Sequence, residues 1–503
     1  MKSRVSFSFL RWISLSLIFF AIVLLIFQLI RFSRIWATYP SGLTIAGVPV
    51  GNLNRQQAAQ RLLEIYTLPV ELHYNENTIQ LSPASIGFEL NMDSMLAAAD
   101  QERTRTPFWQ AFWDFLWGRT TSPGDVPLVV NYSTDRLRAF LSSEISSRYD
   151  QSPVPALPVV GSVSFKPGIL GTALDIDRAV LLIDSALRSN KLRSVMLPLQ
   201  KTNPSQPTLQ NLEVLLKQTA LDIYQYDGVI GLYLLDLQTG QEISFIYDLG
   251  QPVKTPPDVA FTASSTIKIP IMISAFRRLG NNPEKDKPLD DVTLKNLEAM
   301  IGQSNNQAAD WIMSNLMDQI TGPLMVAEDM KALGLENTFL AGYFYVGAPQ
   351  LKAFKTPANQ RTDVTTDPDT YSQTTPAEVG QLLADIYECA QRGGGSLIAA
   401  FGDEITQEEC QMMIQNLKND HTPALIPAGV PDGIEVAHKH GWVSDAFGII
   451  HNMSDAAIVF TKGGDYVLSI FLYHPNQLVY DPANKLVADL SRAAYNYYNL
   501  PSP

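Results

Sequence analysis

The stretch that decides the fold of this chain is Phe261-Thr-Ala-Ser-Ser-Thr-Ile-Lys-Ile-Pro-Ile-Met272. It holds the only Ser-x-x-Lys of the sequence, from Ser265 to Lys268, at the start of an apolar run. If a helix begins near Ser265, a residue three positions on lies on the same face, so Lys268 is placed to take the proton of the Ser265 hydroxyl. A serine becomes a good nucleophile when a neighbouring base does this. The spacing therefore indicates a nucleophile and its base, although a solvent-exposed pair on an amphipathic helix has the same pattern.

The composition limits the possible functions. The chain has 503 residues, enough for two to four domains, with 46% hydrophobic and 17% charged residues, as in a folded protein with one membrane segment. Its net charge of −13 argues against a nucleic-acid partner, because phosphate binding needs a basic face. The six histidines form no His-Glu-x-x-His motif and no Cys/His cluster, so we predict neither a metal site nor any other cofactor.

Residues 1–34 are predicted to be a short cytoplasmic tail followed by a transmembrane anchor. Trp12 to Ile30 gives 19 consecutive residues without a charge, about the length that crosses a bilayer. Basic residues flank this run: Lys2, Arg4 and Arg11 before it, Arg31 and Arg34 after it. Their slight excess at the N-terminus favours a cytoplasmic start, with the rest of the chain outside the cytoplasm. A cleaved signal peptide is the competing interpretation, but no small-x-small cleavage site follows the run.

Two small α+β modules are predicted after the anchor, over residues 41–105 and 128–203. Both carry the same motif, Ile86-Gly-Phe-Glu-Leu-Asn-Met-Asp93 in the first and Leu170-Gly-Thr-Ala-Leu-Asp-Ile-Asp177 in the second, and each copy precedes a helical pattern. This similarity indicates an internal repeat. The region resembles the peptidoglycan-binding repeats of vancomycin-resistance W-type proteins, which implies peptidoglycan as a partner. A rigid spacer between the membrane and the last domain is the alternative.

An aromatic connector, residues 106–127, separates the two modules. Its segment Pro107-Phe-Trp-Gln-Ala-Phe-Trp-Asp-Phe-Leu-Trp-Gly118 holds three of the seven tryptophans, and its aromatic residues together would cover most of a helix circumference. Tryptophans close to a membrane are often interfacial anchors. Packing between the two modules explains the segment as well, and we favour that explanation.

The pattern changes from residue 208 to residue 503, where we predict a domain with an antiparallel sheet flanked by helices, of the α+β class. Strand patterns are found at both ends of the domain and helical patterns lie between them. The predicted strands are 229–237, 242–247, 434–440, 456–460 and 466–473, and a closing helix is predicted over 485–498.

Three motifs give this domain a resemblance to class A β-lactamases and the wider penicillin-binding serine hydrolases. Ser265-Thr-Ile-Lys268 matches the family's Ser-x-x-Lys, Ser304-Asn-Asn306 matches its Ser-Asp-Asn, and Lys439-His-Gly441, followed by Trp442, matches its Lys-Thr-Gly. The three occur in the family's order within the predicted domain, which has about 290 residues. The resemblance implies the β-lactamase/transpeptidase-like fold and an acyl-enzyme mechanism.

The resemblance also implies roles for individual residues. Ser265 would be the nucleophile, Lys268 a candidate base, and Ser304 the proton donor to the leaving nitrogen. The backbone N–H groups of Ser265 and Trp442 would form the oxyanion hole. The residues expected to bind substrate are Asn306, Lys439, His440 and Gly441. The implied activity is hydrolysis of a β-lactam or of a related peptide or ester; the alternatives are a penicillin-binding DD-peptidase, a slowly deacylating β-lactam sensor, and a non-catalytic protein that binds the cell wall.

Two departures from the family affect these expectations. His440 stands where the family has threonine, and its imidazole either binds the substrate carboxylate or is a tolerated substitution on an exposed strand. No glutamate occurs from Asn337 to Ala377, where the family's deacylating glutamate is expected. The nearest acids are Asp363, Asp367 and Asp369. Without that base the acyl-enzyme should turn over slowly, which argues against a fast β-lactamase.

The two cysteines, Cys389 and Cys410, fall on successive helical patterns. Outside the cytoplasm they can form a disulfide, while two buried thiols are the alternative. The choice depends on geometry that the spacing does not define.

Overall fold

A computed structural model describes residues 6–119, 123–256, 258–280 and 290–500. These residues form two compact units. The first extends to Pro153 and includes Leu170–Asn203, and the second includes Val154–Ile169 and continues from Pro204. The predicted division into modules over 41–105 and 128–203 stays a prediction.

Helix α1 (Ser6–Trp36) has the apolar composition predicted for an anchor. Its segment Arg11–Trp36 is long and apolar enough to cross a membrane, and none of its most apolar window is buried within the structure. Length and composition are the support for a membrane span, and the orientation across the membrane stays a prediction. Lys2 and Arg4 of the predicted tail lie outside the described residues.

The first unit continues with short strands and helices. Its helices are α2 (Arg55–Tyr66), α3 (Met92–Thr104), α4 (Phe108–Leu116), α5 (Thr134–Phe140), α6 (Ser147–Tyr149) and α7 (Ile176–Arg188). Its strands are β1 (Thr44–Ile45), β2 (Val48–Pro49), β3 (Val70–Tyr74), β4 (Asn77–Leu81), β5 (Glu89–Leu90), β6 (Asp125–Val126), β7 (Val130–Asn131), β10 (Gly171–Leu174), β11 (Ser194–Met196) and β12 (Leu199–Thr202).

The repeated motif of the sequence has a local structural meaning. In each copy its polar residue after leucine is the N-cap of the next helix: Asn91 accepts from the Ser94 amide at the start of α3, and Asp175 accepts from the Arg178 amide at the start of α7. Such a side chain satisfies an amide that has no partner within the helix. The repeat is therefore a strand that ends in a helix cap.

The two halves of the first unit share one hydrophobic core. Strand β11, from the second half, pairs in parallel with β3, from the first, so that Val195 lies opposite Leu72. Buried side chains of both halves form a single cluster that includes Leu62 and Ile183. The two predicted modules are thus joined through their sheet and core, and whether one is a repeat of the other stays a prediction.

The aromatic connector forms helix α4, which packs against the end of α1. Phe108, Phe112 and Phe115 surround the ring of Phe32, with ring centroids 5.2, 5.5 and 5.3 Å away. The sequence favoured packing of the connector between the two modules. The structure instead shows the connector packed against α1. The difference arises because the partner of the phenylalanine face lies on the anchor helix, 76 residues earlier in the chain than Phe108.

The second unit contains the remaining elements. Its helices are α8 (Leu209–Gln218), α9 (Lys268–Gly280), α10 (Asp291–Gly302), α11 (Asn306–Ile312), α12 (Gly322–Ala332), α13 (Pro376–Arg392), α14 (Ser396–Phe401), α15 (Gln407–Lys418), α16 (Ile426–Gly429) and α17 (Tyr480–Tyr498). Its strands are β8 (Leu157–Pro158), β9 (Phe165–Lys166), β13 (Val229–Asp236), β14 (Glu242–Asp248), β15 (Gln251–Pro252), β16 (Phe261–Thr262), β17 (Phe339–Leu340), β18 (Ser372–Thr374), β19 (Glu435–Ser444), β20 (Ile450–Phe460) and β21 (Tyr466–Tyr473).

The main sheet of this unit is antiparallel, as predicted, with the strand order β15-β14-β13-β21-β20-β19. Strands β13 and β21 carry continuous apolar runs because both faces of the sheet are covered. Ile230 and Leu232 pack in a cluster with α8 and α17, whereas Val229 and Phe471 belong to the cluster that contains α9 and α13. Strand β19 is an edge strand, so one of its sides is open to other groups.

Cys389 of α13 and Cys410 of α15 form a disulfide between two neighbouring helices. Both side chains are fully buried. Of the two alternatives that the sequence left open, the structure therefore shows the disulfide and not two buried thiols.

Candidate active site

Ser265 lies in a tight turn between strand β16 and helix α9. The turn is one turn of 3₁₀ helix that begins at Ser264, whose backbone is left-handed with φ 50°. Thr266 closes it, because its amide and its hydroxyl both donate to the Ala263 carbonyl, at 3.1 and 2.6 Å. Ser265 remains partly exposed, while Lys268 is fully buried at the first position of α9. The helical segment thus begins where the sequence predicted.

The Lys268 amine contacts three of the residues expected at the site. Its Nζ lies 2.9 Å from the Ser265 Oγ, 2.7 Å from the Ser304 carbonyl oxygen, 3.1 Å from the Ser304 Oγ and 2.7 Å from the Asn306 Oδ1. Burial and, second, the positive charge of Lys439 lower the pKa of Lys268 to about 7, while Asp420 and Asp310 oppose the shift.

These contacts fit a neutral amine. The carbonyl of Ser304 and the amide oxygen of Asn306 can only accept hydrogen bonds, so they take the two N–H groups of a neutral Lys268. The lone pair that remains can accept from the hydroxyl of Ser265 or of Ser304. The arrangement therefore connects the two hydroxyl groups through one nitrogen that can gain and lose a proton near pH 7.

The Ser304 segment owes its position to the break between α10 and α11. Ser304 has a left-handed backbone with φ 55°, which turns its carbonyl and its hydroxyl toward Lys268. The next residue, Asn305, is the N-cap of α11 and accepts from the Ala308 amide at 3.0 Å. Asn306 then occupies the first helical position with its side-chain oxygen against Lys268.

Lys439 is buried in an ion pair behind the site. Its Nζ lies 2.8 Å from an oxygen of Asp420, and both side chains are fully buried. Burial lowers the pKa of Lys439, and Asp420 opposes that shift. Burial raises the pKa of Asp420, but the hydrogen bond from His440 and the charge of Lys439 outweigh it, so that this pKa lies well below its usual range.

His440 is also held by Asp420. Its Nδ1 lies 2.7 Å from the same carboxylate oxygen, and its Nε2 lies 3.3 Å from the Thr422 hydroxyl. The ring stacks on Trp442 with centroids 4.8 Å apart. Both ring nitrogens therefore have protein partners, and the predicted contact with a substrate carboxylate, which stays a prediction, would require Thr422 to release Nε2.

Strand β19 approaches the nucleophile turn most closely at Gly441. A Cβ added to Gly441 would lie 2.8 Å from the Ser265 backbone nitrogen and 2.9 Å from the Ser264 Cβ. A side chain larger than hydrogen does not fit at this point. The Gly441 backbone therefore lies beside Ser265, and the oxyanion hole expected from the N–H groups of Ser265 and Trp442 stays a prediction.

A loop between α12 and α13 covers Lys268 from another side. The Phe344 amide donates to an oxygen of Asp310 at 2.8 Å, and the ring of Phe344 lies with its centroid 5.5 Å from the Lys268 Nζ. Burial raises the pKa of Asp310, and the backbone amides of Phe344 and Tyr345 and the charge of Lys268 oppose this shift. The carboxylate of Asp310 thus holds the loop that positions an aromatic ring above the amine.

The three acids considered as replacements for the family's glutamate do not contact Ser265 or Lys268 among the described residues. Asp363 pairs with Arg361 at 2.6 Å, Asp369 accepts from the Tyr371 amide at 3.0 Å, and Asp367 has a left-handed backbone with φ 43° on an exposed part of the loop. Within the described ranges, no carboxylate lies within hydrogen-bond distance of Ser265 or Lys268.

The structure adds three residues to the predicted set: Asp420, Asp310 and Phe344. Asp310 closely follows the Ser304 motif in the sequence. Its place as a polar residue on the first turns of α11 was the feature from which it could have been predicted as a site residue. Asp420 and Phe344 have no fixed spacing from any motif. In the part of the chain that the structure describes, no three His, Cys, Asp or Glu side chains are grouped as a metal site would need.

The covered antiparallel sheet, with a serine–lysine pair beside its edge strand, is the architecture of the class A serine β-lactamases and penicillin-binding enzymes. Residues 215–498 match the model of the beta-lactamase enzyme family, which is more than half of the 503 residues. The chain therefore belongs to the beta-lactamase enzyme family.

Individual relatives are distant. A β-lactamase of Bacillus licheniformis is 26% identical over 321 residues, which cover 60% of this chain and 89% of that protein. A solved structure described as PBP-A has 21% identity and a TM-score of 0.40, covering 59% of this chain and 98% of that one. A β-lactamase from Desulfarculus baarsii has 19% identity and a TM-score of 0.40, covering 59% of this chain and 100% of that one.

Proposed function

We propose that this protein is a membrane-anchored, extracytoplasmic serine hydrolase that forms an acyl-enzyme on Ser265 with a β-lactam or a related peptide or ester. The observation that carries the proposal is the 2.9 Å separation between the Lys268 Nζ and the Ser265 Oγ, at a buried amine whose pKa is lowered to about 7. With that pKa, about half of the amine is neutral at pH 7 and able to accept the hydroxyl proton.

Acylation follows from the contacts of Lys268. The neutral amine takes the Ser265 proton as Oγ attacks the substrate carbonyl carbon, and the oxygen that becomes negative faces the backbone N–H groups of Ser265 and Trp442. When the carbon–nitrogen bond breaks, Ser304 gives its hydroxyl proton to the leaving nitrogen and regains one from Lys268, 3.1 Å away. The leaving nitrogen thus carries the original Ser304 proton, and the proton lost by Ser265 ends on Ser304 through Lys268, so that one proton passes in net from Ser265 to the leaving group.

Substrate binding uses groups that this step does not consume. The Oδ1 of Asn306 is occupied by Lys268, which leaves its Nδ2 to donate to a substrate amide. The edge of β19 offers unpaired backbone groups to an extended substrate. The Nζ of Lys439 is already bound by Asp420, so the expected contact of Lys439 with a substrate carboxylate would require this ion pair to open.

Deacylation is slow in this proposal, and the relation of Phe344 to Lys268 supports that part. Hydrolysis of an acyl-enzyme needs a base that activates water. The side chain that the loop presents beside Lys268 is the apolar ring of Phe344, with its centroid 5.5 Å from the amine. A β-lactam adduct should therefore persist, as expected of a penicillin-binding DD-peptidase or a β-lactam sensor, and a fast β-lactamase is the less favoured candidate.

The location and the wall partner are also parts of the proposal. Helix α1 is long and apolar enough to anchor the chain. The Cys389–Cys410 disulfide favours an oxidising compartment outside the cytoplasm. Peptidoglycan is proposed as the partner of the first unit on the strength of its repeated motif, and the alternative is a spacer that binds nothing. Sedimentation of the whole chain with purified peptidoglycan distinguishes these alternatives. A chain that does not sediment with peptidoglycan would indicate that the first unit is a spacer.

The first test is mass spectrometry of the whole purified chain incubated with a penicillin, followed over time. Ser265→Ala removes the proposed nucleophile. Ser264→Ala is the matched control, because it removes a neighbouring buried hydroxyl and leaves Ser265 in place. The expected result is an adduct in the wild type and in Ser264→Ala that persists for many hours, and none in Ser265→Ala.

Other results have distinct meanings. A folded wild-type chain that gains no adduct would overturn acylation by penicillins and favour a non-catalytic protein that binds the cell wall. An adduct that appears and clears while hydrolysed drug accumulates would show a working β-lactamase and overturn the proposal of slow deacylation.

A further inference from the structure

Helix α4 has two different aromatic faces. Its phenylalanines, Phe108, Phe112 and Phe115, pack on Phe32 of α1. Two tryptophans of the helix and Trp117, directly after its end, follow one another at intervals of four residues and form a second stripe. Their exposed fractions are high: Trp109 63%, Trp113 56% and Trp117 74%. Three neighbouring indole rings in water are an unusually large exposed apolar patch, which normally marks a binding surface.

The level of α4 along the anchor is defined by its contacts with α1. The uncharged run of α1 ends at Ile30, and its 19 residues span about 28 Å at about 1.5 Å per residue, close to the thickness of a bilayer core. The contact residues Phe32 and Trp36 come directly after that run, and the Trp36 and Phe108 rings lie 5.4 Å apart. If α1 spans a membrane, α4 is therefore at the height of the lipid headgroups.

Arginines surround this level. Arg31 and Arg34 lie on the last turns of α1 and are exposed. The Arg103 Nη1, at the end of α3, donates to the Trp36 carbonyl at 3.3 Å, which holds α3 beside the same part of α1. Arg105 and Arg119 follow α3 and α4 and are largely exposed, although each also lies within 4.0 Å of an acid of the preceding helix, Glu102 and Asp114 respectively. Indole rings with nearby arginines are the combination that suits the boundary between acyl chains and anionic headgroups.

We propose that α4 is an interfacial helix, whose stripe of Trp109, Trp113 and Trp117 inserts among the headgroups of the membrane that holds α1. The inference rests on the proposed anchor and goes beyond it. With α4 inserted, the first unit is attached to the bilayer at two adjoining elements, because the phenylalanine face of α4 is packed on α1. The occupant is a lipid surface, since the stripe is continuous with the anchor at its point of exit.

The test measures the depth of single labels in the whole chain, reconstituted in vesicles of phosphatidylethanolamine and phosphatidylglycerol. The chain has two cysteines and they are joined in a disulfide, so an added cysteine alone reacts with a maleimide fluorophore. Trp113→Cys reports on α4, and Leu24→Cys reports on the anchor. Leu181→Cys, an apolar position of α7 that is 69% exposed, is the matched control in the same unit.

The depth of each label in the bilayer is measured by the quenching of its fluorescence with quenchers placed at different depths. We expect the Leu24→Cys label to respond to quenchers deep in the acyl chains and the Trp113→Cys label to quenchers just below the headgroups. The Leu181→Cys label should respond to aqueous iodide alone. Iodide quenching of the Trp113→Cys label should be at least about fivefold weaker than that of the control.

Each contrary result has its own meaning. A Trp113→Cys label that iodide reaches as freely as the control, with the Leu24→Cys label deep in the bilayer, would overturn the interfacial helix and leave the anchor. A label at Trp113 shielded from both iodide and lipid quenchers would indicate a protein surface and also overturn the proposal. Labels at Leu24 and Trp113 that are both aqueous would overturn the anchor itself. Acylation of Ser265, measured on the same vesicles, is independent of all three.

Discussion

The ring of Phe344 lies with its centroid 5.5 Å from the Nζ of Lys268, on the side of the amine that the loop between α12 and α13 covers. Asp310 holds the ring there by accepting from the Phe344 amide at 2.8 Å. An apolar ring beside a buried amine lowers the local polarity, in agreement with a Lys268 pKa of about 7 that results chiefly from burial. The same ring occupies space beside Lys268 that a carboxylate could otherwise fill.

Phe344→Glu should therefore accelerate deacylation. A carboxylate beside Lys268 can activate water, and general-base catalysis typically contributes about 10²–10⁴ in rate. We expect the half-life of the penicillin adduct on Ser265 to fall by at least about tenfold, measured by mass spectrometry after removal of free drug. Phe344→Gln is the control, since it has nearly the same shape as glutamate without a basic oxygen. Equal half-lives in the two variants would show that loss of the ring, and not the carboxylate, matters.

The rate of acylation should follow the titration of Lys268. The amine acts as base when neutral, and its pKa is about 7, so the neutral fraction rises as pH increases through 7. Below that value the rate constant for adduct formation should increase about tenfold per pH unit, and it should level off above it. Stopped-flow or quenched mass spectrometry from pH 5 to 9 measures the midpoint.

A matched pair of substitutions tests the cause of that midpoint. The charge of Lys439 contributes to the low pKa of Lys268, second to burial. Lys439→Gln removes the charge and should move the midpoint to higher pH, whereas Lys439→Arg keeps the charge and should leave it near 7. A midpoint that is the same in both variants would exclude an effect of this charge.

Asp420→Asn should destabilise the second unit at neutral pH. Removing one partner of a buried ion pair leaves the other uncompensated, at a typical loss of about 3–5 kcal/mol, and Asp420 holds both Lys439 and His440. The pKa of Asp420 is lowered in the folded state, so its contribution is complete above its unfolded pKa near 3.9 and is lost as pH falls below that value. The difference in melting temperature between wild type and variant should thus be large at pH 7 and smaller at pH 3.

Circular dichroism of the whole chain in detergent gives both melting temperatures. Asp432→Asn is the control, because this exposed acid of the segment before β19 has the same chemistry without the burial. A loss in Asp432→Asn as large as that in Asp420→Asn would contradict the role of the buried pair.

The sequence was most informative where a local pattern determines the structure. The apolar runs at 229–237 and 466–473 predicted strands, and the structure places both in the middle of the main sheet, where both of their faces are covered. The three-residue spacing of Ser265 and Lys268 predicted their contact because one helical turn brings such residues together. The order of the motifs then indicated which strand lies beside the serine.

Contacts between residues distant in the chain were beyond local patterns. The pairing of Leu72 with Val195 joins strands 123 residues apart, and no periodicity indicates it. The absence of a glutamate from the loop was visible in the sequence, but the position of the Phe344 ring beside Lys268 depends on the Phe344 amide reaching Asp310. The burial of Asp420 likewise results from the packing of β19 and the segment after α15, which brings two basic side chains to one oxygen.

Gly441→Ala should slow acylation strongly and leave the overall fold intact. An added Cβ would lie 2.8 Å from the Ser265 backbone nitrogen and 3.1 Å from the Ser454 hydroxyl, so the strand and the nucleophile turn must separate. That separation displaces the backbone N–H groups proposed for the oxyanion hole, and loss of one such donor typically lowers the rate about 10²–10³-fold. We expect a decrease of at least about 10²-fold in the rate of adduct formation with a penicillin. Gly394→Ala is the control, since a Cβ there meets nothing within 4 Å. An acylation rate in Gly441→Ala within threefold of the control would mean that the strand does not need this close approach, and that the oxyanion is bound elsewhere.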